Sequence, residues 1–343
     1  MSDAAATTRE LQADLDAALG REIEPGEEVV FLNFPDFANP GDSAIYLGAR
    51  AALERAGARV MLVCAHNDYR RRLVARAVGP RGTIVLNGGG NFGDLYRKRG
   101  QQRVRRRVLR DFPDARLIQL PQTIYFEGEA RARRFASLCA EHERLTIMVR
   151  DRPSAQRAAE LGLETVLCPD GALGLGPLAR PAAASQPVAW LLREDMERRT
   201  AVPGAGADAR DWPVDEEQRR APGSGRRLGR ELRLARGLAG ARDRGPAFVR
   251  LGLARALAGR YERIARVRTD LALEQLAAGE VVVSDRFHGH LLACMMGIPN
   301  VLLDNSYGKN RGLFETWTHR YEIARFAEDP NLAVDLAREL AAA

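Results

Sequence analysis

Residues 29–64 read VVFLNFPDFANPGDSAIYLGARAALERAGARVMLVC, and this stretch decides the fold class. Val29–Asn33 is a short apolar run that gives way to a loop rich in Pro, Gly and Asp. Asp42–Ala56 carries apolar residues at helical spacing (Ala44, Ile45, Ala51, Ala52) and stops at Gly57. Val60–Cys64 is a second apolar run. Strand, helix and strand in that order predict parallel strands with a helix lying over the sheet.

The alternation continues outward. Thr83–Asn87, Leu117–Leu120, Ile147–Val149 and Thr165–Cys168 read as strands, with helical segments at Glu127–Glu143 and Ser154–Leu161. Gly176–Gln186, rich in Pro and Ala, reads as a linker, after which Val188–Leu192 restarts the strand signal. Glu194–Gly245 is charged and Gly-rich, and only a helix around Arg227–Gly237 stands out in it. A helical pattern then runs from Pro246 to about Ala278, followed by the strand Val281–Ser284, a helix from about Gly289 to Met296, and the strand Asn300–Leu303. The expected class is α/β, with two successive Rossmann-like units. Their bounds are an N-terminal extension 1–26, a first domain 27–180, a second 181–325 with a poorly assigned insertion near 194–245, and a C-terminal helix 326–343.

Composition narrows the class. With 343 residues, 45% hydrophobic and 28% charged, the chain has material for two ordinary globular domains. Its longest apolar run, Leu291–Met296, is far below the roughly 20 residues a bilayer span needs. Met1–Gly20 lacks the basic-then-apolar order of a secretory signal, and the four cysteines (Cys64, Cys139, Cys168, Cys294) lie far apart, as suits reduced buried thiols. The expected location is the cytoplasm, including the inner face of the membrane. The net charge of +7 is concentrated at Arg97–Arg110 (Arg97, Lys98, Arg99, Arg103, Arg105, Arg106, Arg107, Arg110) and Arg219–Arg244. Without interleaved aromatics these clusters argue against nucleic acid. A solvated helix face is one reading of Arg97–Arg110; contact with an acidic polymer or lipid head groups is the other.

Polar signatures gather at strand ends, where open parallel sheets bind ligands. Asn39-Pro40-Gly41-Asp42 opens the first helix, and its exposed N–H groups can hold an anion. Gly88-Gly89-Gly90-Asn91-Phe92-Gly93-Asp94 follows the third strand and reads as a sugar or phosphate pocket loop. It also fits the dinucleotide glycine pattern, but no acid follows the next strand to hold a ribose. Gln122, Arg150-Asp151 and Asp170 sit at three further strand ends, where turn chemistry is the plainer alternative. The segment Val281-Val282-Val283-Ser284-Asp285-Arg286-Phe287-His288-Gly289-His290 delivers an Arg and a His to a helix start. There the guanidinium fork can grip a carboxylate or phosphate, and the imidazole can carry a proton. Lys309, in the loop after the last clear strand, is a further candidate cation.

Val283–Gly289, together with Gly88–Asp94, Asn39–Asp42, Leu120–Thr123, Arg150-Asp151 and Leu191-Leu192-Arg193, resembles the polysaccharide pyruvyltransferase family over roughly Val29 to Trp317. The resemblance implies two domains facing a cleft, as in the GT-B glycosyltransferases, with phosphoenolpyruvate as donor. It implies a hexose of a surface polysaccharide or its lipid-linked precursor as acceptor. Arg286, His288 and Arg150 take the positions of the family's site residues.

That chemistry fits the residue types. A donor with a phosphate and a carboxylate needs several cations, and Arg150, Arg193, Arg286 and Lys309 are available. His288 is assigned the general acid and Arg286 a catalytic electrostatic role. Asn39, Gly41, Asp42, Gly89, Gly90, Asn91, Asp94, Gln122 and Ser284 complete the expected pocket, with Asp42, Asp94 or Asp170 to activate the acceptor. No metal motif and no cofactor are expected. Two other readings stand beside this one: a GT-B glycosyltransferase using a nucleotide sugar, and a silent polysaccharide-binding module. Released phosphate or released nucleotide separates the first from the enzyme above. The second expects aromatic platforms, and the chain has only three Trp and seven Tyr.

Overall fold

A computed structural model describes residues 4–95, 100–195, 197, 202, 209–213, 215–220 and 224–342. Arg97, Lys98 and Arg99 of the basic cluster, and parts of the segment 194–245, lie outside the described residues. Two parallel sheets organise the chain. The first follows helix α1 (Ala4–Gly20) and runs β1 (Glu28–Phe34), α2 (Pro40–Arg55), β2 (Arg59–Ala65), α3 (Arg71–Val78), β3 (Thr83–Leu86), β4 (Gly89–Gly93) and α4 (Gln101–Asp111). It continues through β5 (Arg116–Tyr125), α5 (Glu129–Ala140), β6 (Leu145–Val149), α6 (Arg152–Glu160) and β7 (Val166–Leu167). The strand order is β2-β1-β3-β5-β6-β7, with β4 lying beside β5. The direction of winding reverses between β1 and β3, which opens a crevice beyond their carboxyl ends.

The second sheet is built from β8 (Gln186–Leu191), β9 (Gly279–Ser284), β10 (Asn300–Leu303) and β11 (Ala324–Ala327), in the order β11-β10-β9-β8. Its helices are α7 (Asp215–Arg220), α8 (Ser224–Arg244), α9 (Ala247–Ala277), α10 (Phe287–Met295), α11 (Lys309–Thr316) and α12 (Pro330–Ala342). This order is sequential, so the second sheet has no reversal of its own.

Both faces of the first sheet are covered, which is why the runs in β1, β2, β3 and β6 are apolar on both faces rather than alternating. Helices α3, α4 and α5 bury Leu73, Val108 and Phe135 with Val30, Leu32 and Ile84. On the opposite face Val29, Phe31 and Val63 meet α1, α2 and the α8–α9 hairpin. That hairpin leaves the second sheet between β8 and β9, yet Leu228, Ala235, Ile264 and Ala265 pack on the first, and Tyr261 stacks on Phe34 at 4.3 Å. Length gives the reason. The 31 residues of α9 span roughly 46 Å, more than a four-stranded sheet can cover.

Several expectations need adjustment. The glycine segment is partly a strand: Gly89–Gly93 pairs in parallel with β5. The helix expected from Gly289 starts at Phe287, with Arg286 in the N-cap position. Residues 4–20, read only as an extension, form α1, which buries Leu11, Leu15 and Leu19. The solvated-face reading of the basic cluster fails at Arg105, which is 1% exposed. No helix among the described residues is long and apolar enough to cross a membrane.

Gly93 has φ +151°, and a Cβ there would lie 1.7 Å from the Tyr125 carbonyl oxygen. No side-chain motion relieves a clash with backbone, so Gly93→Ala is expected to cost more than about 2 kcal/mol. Thermal unfolding of the purified variant measures this.

Candidate active site

Loops from both sheets enclose one small polar cavity of about 50 Å³. The first sheet supplies Asn39 and Asp42 after β1, Gly90 and Asn91 after β3, and Arg150 at the end of β6. The second supplies Arg193 after β8, Arg286 and His288 after β9, and Lys309 after β10. The cavity adjoins a wide cleft of about 1190 Å³, and Phe37, Asn39, Arg193, Trp212 and Arg286 line both.

At its centre Arg150 donates from Nη1 to Asp170 Oδ2 at 2.5 Å and from Nε to Thr123 Oγ1 at 3.0 Å. Both oxygens of Asp170 stand 3.4 Å from His288 Nε2. Burial would raise the Asp170 pKa, but His288 and Arg150 beside it and the Ala172 N–H hold it well below the usual carboxylate range. Asp170 therefore stays ionised and fixes the imidazole. Behind that ring lies Gly41, where a Cβ would come within 2.7 Å of His288 Cβ. The glycine lets α2 and α10 approach with their N-termini toward one cavity, and both helix dipoles favour an anion there. Asn39 caps α2 by accepting from the Gly41 N–H at 3.0 Å, and its Nδ2 donates to Asp42 Oδ2 at 2.7 Å.

The remaining cations are held by acids. Arg286 is bidentate to Asp211 and reaches Asp195 at 3.2 Å. Burial opposes its charge, yet Asp211 and Asp195 offset this and lift its pKa above the ordinary value. Arg193 pairs with Asp195 and, at 2.9 Å, with Glu197. Against the effect of burial, this contact and Arg286 bring Asp195 down to about 2. Lys309 donates to Glu197 at 2.6 Å, while burial pushes its ammonium down against the pull of that carboxylate. One edge of each guanidinium stays open: Arg150 Nη2, Arg193 Nη1 and Arg286 Nη1 make no hydrogen bond among the described residues.

The glycine segment has its own support. Arg105 donates to the Asn91 carbonyl at 2.8 Å, to the Asn91 side chain and to Gln119 Oε1 at 2.6 Å. It has no carboxylate partner among the described residues, and burial draws its pKa down to about 9. Gln122 lies one layer behind the cavity, accepting from the Asn91 N–H at 3.2 Å. Gly90 leaves room for Arg150, since a Cβ would sit 3.2 Å from its Nη2. Gly89, at φ +123°, backs Asp42.

Two expected site residues lie elsewhere. Asp94 accepts from the Glu127 and Gly128 N–H groups and pairs with Arg131, so it anchors the approach to α5. Ser284 is fully buried, donates to the Leu191 carbonyl at 2.9 Å and accepts from the Arg286 N–H at 2.9 Å, which shapes the turn that aims Arg286. Of the three acids considered for acceptor activation, only Asp42 lines the cavity; Asp170 is committed to Arg150 and His288. Asp195, Glu197 and Asp211 escaped sequence reasoning. The first two follow Leu191-Leu192-Arg193 at a strand end, a position that could have marked them.

A family model for polysaccharide pyruvyl transferase matches residues 39–307. The chain belongs to that family. Pyruvyl transferase 1 of Schizosaccharomyces pombe is 30% identical over 85% of this chain and 70% of its own length. EpsO of Bacillus subtilis, which bears a provisional pyruvyl transferase name, is 29% identical over 86% of this chain and 87% of its own. Among solved structures, a Klebsiella pneumoniae protein of uncharacterized function shares the fold, with TM-score 0.60 and 17% identity over 93% of this chain and 99% of that one. The family match spans the cavity residues from Asn39 to His288 and stops two residues short of Lys309.

His290, two residues past His288, serves structure. It is fully buried between Asn300 and Thr318 Oγ1, the latter at 2.8 Å, and burial pushes its pKa down to about 4 against the Asn300 contact. An unfolded histidine titrates near 6.5, so the stability held by the neutral ring is complete above that pH and is lost as pH falls toward about 4. Asp285, which burial lifts to about 6, has the opposite sign: its contribution fades as pH rises through that value. Comparing wild type with His290→Gln cancels the Asp285 effect. The gap in unfolding temperature is expected to be widest above pH 6.5 and to shrink toward pH 4, as differential scanning fluorimetry across that range would read.

Proposed function

We propose that the protein transfers the enolpyruvyl unit of phosphoenolpyruvate to two hydroxyls of one hexose, forming a pyruvate ketal and releasing phosphate. The observation that carries this reading is the convergence of His288, held by ionised Asp170, with Arg150, Arg193, Arg286 and Lys309 on one cavity. A donor bearing a carboxylate and a phosphate suits four cations and two helix N-termini. The donor's anions engage the open nitrogens Arg150 Nη2, Arg193 Nη1 and Arg286 Nη1, while Asp195 and Asp211 keep Arg193 and Arg286 oriented. His288 delivers a proton to the donor's methylene carbon while a sugar hydroxyl attacks the adjacent carbon. The C–O bond to phosphate then breaks as a second hydroxyl adds, and two hydroxyl protons leave in exchange for the one delivered and the one phosphate carries away.

The wide cleft beside the cavity suits an acceptor larger than the donor, a hexose of a surface polysaccharide or of its lipid-linked precursor. Asp42 is the acid best placed to orient a hydroxyl. In this reading the two sheets are two Rossmann-like domains facing a cleft, an arrangement of the GT-B kind, working in the cytoplasm without a cofactor.

Phosphate release measured with phosphoenolpyruvate and candidate glycans tests the proposal, with mass spectrometry expected to find the acceptor heavier by one pyruvic acid less one water. Turnover with a nucleotide sugar and none with phosphoenolpyruvate would sink it. His288→Ala is expected to lower kcat by ~10²–10⁴-fold with little change in KM for the donor. Arg286→Ala should raise that KM as well, and EDTA should leave the rate unchanged.

A further inference from the structure

Away from the cavity, a groove of about 600 Å³ is lined by seven arginines and two aspartates. It lies where α3 with its N-cap Arg70, helix α4 and the α8–α9 tip come together. Arg70, Arg71, Arg72 and Arg76 come from the first, Arg107 from the second, and Arg242 and Arg250 from the third. The acids are already engaged. Asp243 pairs with Arg242 at 2.9 Å and Arg70 at 3.3 Å, and Asp111 accepts from Tyr69 Oη at 2.6 Å. Arg71 and Arg250 reach only backbone carbonyls, of Asp111 and Gly245. Among the described residues none of Arg71, Arg72, Arg76, Arg107 and Arg250 forms an ion pair, and seven arginines against Asp111 and Asp243 leave the groove with an excess of positive charge.

Two observations say what that charge meets. Phe248, in the first turn of α9 at the outer end of the α8–α9 hairpin and outside the groove's lining, is 76% exposed, the most exposed large apolar side chain among the described residues. A soluble polyanion has no use for an exposed phenyl ring, whereas the interface of a bilayer takes both the ring and the cations. The groove also borders the wide cleft. His66 and Asn67 line the cleft, Tyr69 and Arg70 line the groove, and Asp68 between them is tied to Arg242 at 3.0 Å and to Tyr261. A surface lying against this groove would therefore sit at the cleft's rim.

We infer that α3, Arg107 and the α8–α9 tip form a docking surface for an anionic phospholipid bilayer, with Phe248 inserted at the head-group level. The arginines supply long-range attraction that salt screens within about 10 Å, and the ring supplies a contribution that salt does not weaken. This places the membrane-facing charge mainly on α3 and the α8–α9 tip, and among the described residues of the Arg97–Arg110 cluster Arg107 alone lines the groove.

Co-sedimentation of the full chain with vesicles tests the inference. Binding is expected to vesicles of phosphatidylcholine with phosphatidylglycerol at low salt, to weaken at high salt, and to be absent with phosphatidylcholine alone. The double variant Arg72→Glu/Arg76→Glu, altering two exposed positions, should bind at least about tenfold more weakly. Phe248→Ser should lose several-fold at every salt concentration. If the charge-reversed protein does not fold, as judged by its unfolding temperature, Arg72→Gln/Arg76→Gln takes its place. Equal binding to both vesicle types, no binding to the anionic ones, or unchanged affinity in the arginine variants overturns the proposal. So does unchanged affinity of Phe248→Ser, or retention on polyphosphate or duplex DNA without vesicle binding, since each points to a soluble polyanion instead.

Discussion

Arg150 and Asp170 form an ion pair from which water is excluded, and His288 closes on the same carboxylate from the other sheet. Two charges in such a place are tolerable only when their remaining hydrogen-bonding capacity is met; removing one partner of a buried pair typically costs about 3–5 kcal/mol. Here Thr123 takes Arg150 Nε, the Ala172 N–H takes Asp170 Oδ1, and the imidazole takes what is left. Because these groups come from β6, from the turn after β7 and from α10, satisfying the pair also sets how the two sheets meet at the cavity.

The electrostatics around that junction are those of a site prepared for an anion. Buried cations cannot be left bare, and Asp195, Glu197 and Asp211 hold Arg193, Lys309 and Arg286 in place. Carboxylates that hold a guanidinium by one edge keep its orientation while leaving the other edge for a ligand. Arg105 extends the positive field from below the glycine segment without any acid of its own among the described residues. The α2 and α10 N-termini add fixed partial charge that needs no reorganisation when the ligand arrives.

The α8–α9 hairpin ties the distal parts of the molecule to this site. Its apolar side seals one face of the first sheet, its tip carries Phe248 and Arg250, and Tyr261 and Arg242 hold the β2–α3 loop through Asp68. One excursion of the chain thus shapes the rim of the cleft and the basic groove beside it.

Much of this was legible in the residues themselves. Parallel strands announce themselves as short runs apolar on both faces, so β1, β2, β3, β6, β9 and β10 were found within a residue or two, and the strand ends marked Asn39, Gly90, Arg150, Arg286 and His288. β4 and β11 were not found, because a glycine-rich pairing segment and the mixed Ala-Arg-Phe-Ala carry no apolar run. Local pattern also could not separate Asp94 from Asp42, for both are acids beside glycine-rich strand ends. Nor could it show that α9 covers a sheet to which its flanking strands do not belong. Strand and helix periods are properties of neighbouring residues and can be read from their order alone. Which carboxylate finishes beside which cation depends on contacts between segments as distant in the chain as Asp211 and Arg286, or Glu197 and Lys309, and only the packed chain decides that.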